Sequence, residues 1–267
     1  MGEQARETYH VQSLERGLAV IRAFDAEHPE LTLSDVARLC DLTRAAARRF
    51  LLTLADLGYV RTDGRLFRLS PRVLELGYSY LSSLTLPEVA EPHLERLVEE
   101  VHESSSASVL DGDDVIYVAR VPTKRIMRVA ISVGTRFPAY ATSMGRVLLA
   151  AMVPDELEAY LGRVRLAPLT GRTVASVAAF RAELARVRAQ GHSLVDQELE
   201  EGLRSIAVPV RNRDGAVLAA VNVSAHASRT SVDAMRRDLL PPLVAAAARI
   251  EADLRSARSN RRLAAGA

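Results

Sequence analysis

The sequence has little of several features that would each define a class of protein. Its 267 residues include one cysteine, Cys40, so an internal disulfide and a cysteine-rich metal site are both excluded. Tryptophan is absent and aromatic residues make up 4%, so the cores must be aliphatic. No apolar run approaches the roughly 20 residues that span a bilayer, and the N-terminus lacks the apolar core of a signal peptide. We therefore expect a cytoplasmic protein that does not enter a membrane.

An excess of one charge is also missing over the whole chain, because 35 basic residues stand against 33 acidic ones and the net charge is +2. The basic residues are unevenly spread, however. Between Thr43 and Arg72 seven arginines occur with two aspartates, which gives this stretch a local charge of +5. Arginine suits bidentate contacts to phosphates and guanine edges, so this stretch is the candidate for binding nucleic acid.

Local signals in the first 70 residues predict a winged helix-turn-helix. The predicted elements are, in order, helices that begin after Ser13, Thr32 and Thr43, a helix end at Gly58, and strands at 60–62 and 66–69 joined by the turn Asp63-Gly64. The first helix is expected to stop near Ala26 and to bury Leu14 and Leu18. The third helix is expected to bury Leu57 in its last turn.

The third predicted helix has a polar face opposite its apolar one, as a helix that reads a DNA groove requires. Seven residues are expected to contact double-stranded DNA, through base edges (Arg44, Arg48), phosphate (Thr43, Arg49), close backbone approach (Ala46) and the hairpin (Arg61, Arg65). The alternative is a solvated face of a helical subdomain that binds protein; the order of elements favours DNA. Because one such module binds weakly, we expect a dimer on two half-sites.

The remainder mixes strands and helices, so we expect an α+β protein of two domains. The expected divisions are a DNA-binding domain over 11–70, a helical linker over 71–86, an α/β domain over 87–257 and a disordered tail over 258–267. Strands are expected at 106–110, 115–121, 127–133, 193–195, 205–211 and 217–224. Pro241-Pro242 is expected to kink the last helix or to start a new one.

The second domain shows no catalytic arrangement. Ser143 lacks the strand-to-helix setting of a hydrolase nucleophile, and the histidines are isolated, so we expect no catalytic residue, no metal and no cofactor. The residues present suit a small anionic or polar ligand instead. Thr142 to Gly145 begin a predicted helix, whose unpaired N–H groups attract anions. Asn222 and Ser224 lie on one side of a predicted strand, and Asp196 opens a polar loop.

Five separated motifs resemble the IclR family of bacterial regulators. They are 13–20 (SLERGLAV), 33–37 with 57–60 (LSDVA and LGYV), 140–150 (YATSMGRVLLA), 196–207 (DQELEEGLRSIA), and Val223-Ser224 with 228–230 (SRT). The resemblance covers about residues 11–256. Residues 45–54 (AAARRFLLTL) and 142–146 (TSMGR) are most similar to the branch that regulates β-ketoadipate and hydroxybenzoate catabolism.

The resemblance implies a C-terminal effector-binding domain with a GAF-like α/β fold, and a homodimer that often pairs into a dimer of dimers. It implies that the effector pocket is lined by Ser143, Met144, Gly145, Asp196, Leu203, Ser205, Asn222, Ser224 and Ser228. Two positions depart from the pattern of many members: Val195 replaces an acidic residue, and Ser205 replaces a cysteine. The leading ligand is an aromatic acid such as protocatechuate, or the dicarboxylic acid β-ketoadipate.

Three other functions compete with an aromatic-acid regulator. The first is an IclR-type regulator of another small carboxylic acid pathway. The second is an enzyme fused to a DNA-binding module, which the lack of a nucleophile–base pair weighs against. The third is an architectural DNA-binding protein without a ligand, whose DNA binding would respond to salt alone.

Overall fold

The computed structural model describes residues 10–25, 27–76, 85–123 and 131–264, with the backbone alone at Thr85 and over 256–264. The chain forms two compact units, Met1–Ser83 and Leu84–Ala267. Half of the expected linker, residues 77–84, lies outside the described residues, as does most of the expected strand at 127–133.

The N-terminal unit is a winged helix-turn-helix. Its elements are α1 (Gln12–Arg22), β1 (Leu31–Thr32), α2 (Leu33–Leu39), α3 (Arg44–Asp56), β2 (Val60–Thr62), β3 (Leu66–Leu69) and a 3-10 turn (Pro71–Val73). The strands pair antiparallel in the order β1-β3-β2. The sequence did not predict β1, because two residues are too few for an alternating pattern.

Side-chain caps fix the starts of α2 and α3 at the predicted residues. The Thr32 hydroxyl accepts the backbone N–H of Asp35, and the Asp35 carboxylate accepts the N–H of Thr32, which completes a capping box at α2. Thr43 caps α3 by accepting the N–H of Ala46. Gly58 follows α3 with φ +81°, the left-handed geometry that ends a helix.

The first helix differs from its prediction at both ends. It begins at Gln12 after Val11, without a side-chain cap, so Ser13 lies inside it. It ends at Arg22 rather than near Ala26, because the Asp25 carboxylate accepts the N–H groups of Glu27 and His28 and forms a turn.

Three apolar side chains that were expected inside are exposed. Leu14 is 62% exposed and Leu18 45%, so α1 covers the core only with residues nearer its C-terminal end, such as Val20. Leu57 is 53% exposed because it is the C-cap of α3, beyond the edge of the core.

The C-terminal unit is an α/β domain. Its elements are α4 (Thr85–Val101), β4 (Ser104–Asp111), β5 (Asp114–Val121), β6 (Arg136–Pro138), a 3-10 turn (Ala139–Ala141), α5 (Ser143–Ala150), α6 (Pro154–Arg163), α7 (Val177–Gln190), β7 (Ser193–Asp196), β8 (Leu203–Arg211), β9 (Val217–His226), α8 (Val232–Ala234), a π-helical turn (Met235–Leu239) and α9 (Leu240–Ala264).

These strands form one antiparallel sheet in the order β6-β5-β4-β9-β8-β7. Helices α4 and α9 pack on one face, where the core includes Leu94, Val221 and Ile250. Helices α5 and α7 cover the other face, whose core includes Met144 and Phe180. We call this second face the pocket face, because it carries the cavity described below.

Of the expected strand at 127–133, the described residues Ile131 to Val133 form a loop, and a turn at Gly134 (φ +90°) leads from this loop into β6. The helix α9 runs to Ala264, where a disordered tail was expected from residue 258, because the tail is rich in helix-forming alanine and arginine. Pro241 and Pro242 lie in the first turn of α9, directly after the π-helical turn, and the helical backbone continues through them.

Candidate functional site

The recognition-helix candidate α3 presents its arginines to solvent. Ala47, Leu51 and Leu54 are buried in the core of the N-terminal unit. Arg44, Arg48 and Arg49 are exposed, whereas Ala46 is half-buried. The short turn before α3 is closed by the Leu42 N–H, which donates to the Ala37 carbonyl at 2.8 Å. These features hold α3 by its apolar side and leave its N-terminal polar side accessible.

The wing is a tight hairpin with a basic surface. The Asp63 carboxylate accepts the backbone N–H groups of Leu66 at 2.8 Å and Arg65 at 2.9 Å, and these bonds lower the pKa of Asp63. The turn residue Gly64 has φ +97°. Arg61 and Arg65, on either side of the turn, are both exposed.

Ion pairing divides the seven arginines between Thr43 and Arg72 into two groups. Arg68 pairs with Glu30 at 3.1 Å, and Arg72 pairs with Glu75 at 3.2 Å. Among the residues that the structure describes, the other five have no carboxylate partner; they are Arg44, Arg48, Arg49, Arg61 and Arg65. We call these five the unpaired arginines. Their charge is therefore available to an external anion, as a polyphosphate backbone requires.

A narrow cavity lies between α5 and the pocket face. Its walls lie close together and leave room for roughly one water molecule, about 10 Å³. It is lined by Tyr117, Ile131, Ala141, Thr142, Ser143, Met144, Val195, Leu199, Leu203, Ser205 and Ser224. The lining is mixed: aliphatic side chains and Met144 offer an apolar surface, whereas three serines and Tyr117 offer hydroxyl groups. Such a lining suits a small ligand with an apolar body and polar ends.

The polar side chains around this cavity form two hydrogen-bonded groups. Ser143 Oγ, at the start of α5, shares a hydrogen bond with Ser205 Oγ on β8. Asn222 Nδ2 donates to Ser224 Oγ at 3.0 Å, and Asn222 Oδ1 accepts the Ser106 N–H at 3.1 Å. Burial raises the pKa of Tyr117 to about 12, so its hydroxyl stays protonated and can donate to a ligand.

Five of the nine residues expected around the ligand line this cavity: Ser143, Met144, Leu203, Ser205 and Ser224. Gly145 packs away from it, since a Cβ on Gly145 would lie 2.2 Å from the Ala139 carbonyl oxygen. Asp196 pairs with Arg204 at 2.7 Å and Arg172 at 3.0 Å.

Asn222 and Ser228 also lie outside the lining. Asn222 is buried in the sheet, where its amide supports Ser224. The Ser228 hydroxyl contacts the His226 ring at 2.7 Å.

Comparison of the sequence with models of known protein families identifies both units. The IclR helix-turn-helix domain matches residues 13–64, and the bacterial transcriptional regulator IclR C-terminal domain matches residues 78–252. The chain belongs to the IclR family. It is therefore a DNA-binding transcription regulator, not an enzyme, and its C-terminal unit is the IclR C-terminal domain.

Named IclR relatives align along most of the chain. The Pca regulon regulatory protein of Pseudomonas putida is 48% identical, with 88% of this chain and 81% of the relative covered. The p-hydroxybenzoate hydroxylase transcriptional activator of Acinetobacter baylyi is 36% identical, with 90% and 91% covered. The crystal structure of an IclR homolog from Microbacterium hydrocarbonoxydans, complexed with 4-hydroxybenzoate, is 29% identical with a TM-score of 0.82, covering 91% of this chain and 99% of that one.

Sequence reasoning missed several residues that line the cavity of this IclR C-terminal domain. Tyr117 lies in a predicted strand, but the alternation did not show which side it faces. Leu199 and Ile131 lie in loops, where periodicity gives no signal. Thr142 was noted as part of a helix start, and its hydroxyl does cap α5 by accepting the Gly145 N–H at 3.0 Å.

The loop that carries Leu199 is held by a buried charged pair. Arg146 is 2% exposed and donates from both terminal nitrogens to the Glu198 carboxylate, at 2.8 and 2.6 Å. Its Nε donates to the Tyr140 carbonyl at 2.8 Å, and its guanidinium lies over the Phe180 ring. This pair ties the loop between β7 and β8 to α5, the two elements between which the cavity opens.

The described residues hold no group of three or more histidine, cysteine, aspartate or glutamate side chains placed to bind a metal ion. Over the same residues, no helix combines the length and the apolar character needed to cross a membrane.

Proposed function

We propose that this IclR regulator binds operator DNA through the unpaired arginines and responds to an aromatic carboxylic acid in the cavity under α5, controlling catabolism of that acid in the cytoplasm. Thr43 and Ala46 belong to the same proposed DNA surface, because they lie at the exposed N-terminal end of α3. The DNA-binding half of the proposal rests on one observation. Arg68 and Arg72 pair with carboxylates, whereas the five unpaired arginines have no such partner among the described residues.

The ligand half of the proposal rests on the lining of the cavity and on the relatives. An aromatic acid presents an apolar ring with a carboxylate at one end and, in a hydroxybenzoate, a hydroxyl at the other. Met144, Leu203 and Ile131 supply an apolar surface for a ring, and Ser143, Ser205 and Tyr117 supply hydroxyl groups. The relatives carry the names of Pca and p-hydroxybenzoate regulators, and a related structure holds 4-hydroxybenzoate.

A homodimer, which can pair further into a dimer of dimers, completes the proposal. Val11, the N-cap of α1, and Leu14 and Leu18 within α1 recur at helical spacing and are 58%, 62% and 45% exposed. Monomers rarely leave such a stripe on a helix in water, and a second copy of the helix would bury it. Two copies would also present two recognition helices to two half-sites.

The proposal is tested by selecting duplexes that the full chain retains from a random pool, and then measuring binding by fluorescence anisotropy. We expect a selected duplex to bind at least about 1000-fold more tightly than a scrambled one. We expect 4-hydroxybenzoate, protocatechuate or β-ketoadipate to change that affinity, with 4-hydroxybenzamide as the uncharged control.

Two outcomes would contradict the proposal. Equal affinity for selected and scrambled duplexes would make the protein an architectural DNA binder. An affinity that responds to salt but to none of the acids would remove the ligand half.

A further inference from the structure

Arg120 lies on the pocket face of the sheet because β5 is irregular there. The pairing of β4 with β5 shifts register between Ala107 and Ser108. As a result Val118 and Ala119 both enter the core beneath α4 and α9. Tyr117, before this pair, and Arg120, after it, then share the opposite face. Arg120 reaches Ser106, its partner across the strands, with 3.4 Å between Nη1 and Oγ.

The charge of Arg120 is not neutralised within the described part of the chain. Its one hydrogen-bond partner there is the neutral Ser106 hydroxyl, and no carboxylate lies within ion-pair distance. The other arginines of this unit with little exposure do have such partners: Arg146 pairs with Glu198, and Arg204 pairs with Asp196. Arg120 is half-buried, and this burial lowers the pKa of its guanidinium. A cation in that position is costly unless an anion joins it.

A row of hydrogen bonds leads from Arg120 to the cavity. Arg120 donates to Ser106 Oγ, the Ser106 N–H donates to Asn222 Oδ1 at 3.1 Å, and Asn222 Nδ2 donates to Ser224 Oγ at 3.0 Å. Ser224 lines the cavity, and so does Tyr117, which is next to Arg120 along the pocket face. Arg120 is not itself among the residues that line the cavity; it borders the ligand space through Tyr117 and through this row.

We propose that Arg120 is the residue that binds the carboxylate of the ligand, with the Tyr117 hydroxyl as a second donor. The inference rests on the proposed function and adds to it a specificity rule: the site selects an anionic carboxylate over a neutral isostere. The ring then lies towards Met144 and Leu203. Asn222 acts as a positioning residue, because it touches Ser106 and Ser224 rather than the cavity.

The test compares 4-hydroxybenzoate with 4-hydroxybenzamide, which has nearly the same shape without the charge, by calorimetric titration of the full chain. For Arg120→Gln we expect about a 10- to 100-fold loss of affinity for the acid, the range of a charge-assisted hydrogen bond, and less than about a 3-fold change for the amide. Arg165→Gln, at an exposed position of the same unit, is the matched control and should bind both compounds as the wild type does.

Arg120→Lys keeps the charge but not the two-pronged geometry, so we expect a smaller loss that is again confined to the acid. This variant also decides the matter if Arg120→Gln does not fold. Wild-type affinity of Arg120→Gln for the acid, or an equal loss for acid and amide, would overturn the inference and leave the proposed function intact. A wild-type protein that binds neither 4-hydroxybenzoate nor protocatechuate nor β-ketoadipate would overturn both.

Discussion

The arginines of the N-terminal unit differ in whether a carboxylate of the same unit neutralises their charge. This difference separates two roles for arginine. Arg68 and Arg72 are held by carboxylates of their own unit, so they contribute little to an external field. Arg65, at the wing, has no such partner among the described residues and is exposed. An unpaired arginine at the wing sets the affinity for a phosphate backbone, whatever the base sequence.

Arg65→Ala is therefore expected to weaken DNA binding by a similar factor for every duplex. Because one phosphate contact is lost, the slope of log affinity against log salt concentration should fall by about 1. Anisotropy titrations at several salt concentrations measure this slope. Arg68→Ala, at a paired position of the same hairpin, is the control and should leave the slope within error; a larger change for Arg68 than for Arg65 would contradict the assignment.

Gly145 is the second residue whose role follows from a single contact. A methyl group there would lie 2.2 Å from the carbonyl oxygen and 2.5 Å from the Cα of Ala139, which are backbone atoms and cannot turn aside. We expect Gly145→Ala to destabilise the C-terminal unit by about 2 kcal/mol or more and to shift the start of α5. Chemical denaturation followed by circular dichroism measures this. Gly162→Ala, with nothing within 4 Å of the added methyl, should have little effect.

At the scale of elements, the sequence predicted what local chemistry decides. The caps at Thr32 and Thr43, the hairpin at Asp63-Gly64 and the left-handed Gly191 that ends α7 are each signalled by neighbouring residues. Strand β1 was missed because its pairing depends on a partner more than 30 residues away.

The ligand cavity shows the same division. Ser143 and Ser205 were expected from motifs, whereas Tyr117 and Arg120 share a face only because of a register shift in β5. The lack of a carboxylate near Arg120 is likewise a property of the folded sheet. Neither fact has a signature within a window of sequence.

The loop between β7 and β8 is the element that depends most on one charged pair. In Arg146→Met the Glu198 carboxylate would remain largely buried without its cation, so we expect a loss of about 3–5 kcal/mol in the free energy of unfolding. Denaturant titration measures the loss. The double variant Arg146→Met with Glu198→Gln also removes the unpaired negative charge, so it should recover part of the lost stability. A single variant as stable as the wild type would show that the pair does not hold the loop.

At the scale of the whole molecule, the account requires two copies acting on one operator. The exposed stripe of Val11, Leu14 and Leu18 is the surface that we expect to join them. The double variant Leu14→Glu with Leu18→Glu should then lose at least about tenfold in affinity for a duplex with two half-sites, because the two binding events are no longer linked. Its affinity for a single half-site should stay close to that of the wild type.

Anisotropy titrations on the two duplexes measure this effect, and Leu169→Glu, at an exposed leucine of the other unit, is the control. An equal loss on both duplexes would show that α1 supports the fold or the DNA contact rather than the dimer.

The most direct measurement is the affinity of Arg48→Ala for a selected duplex and for its scrambled counterpart. Arg48 is exposed on α3, one turn from Arg44, while the opposite side of the helix is anchored by Ala47 and Leu51. The account predicts that the variant folds, binds the scrambled duplex almost as the wild type does, and loses nearly all preference for the selected one. Full preference for the selected duplex in a folded Arg48→Ala protein would contradict the assignment of α3 as the helix that reads DNA.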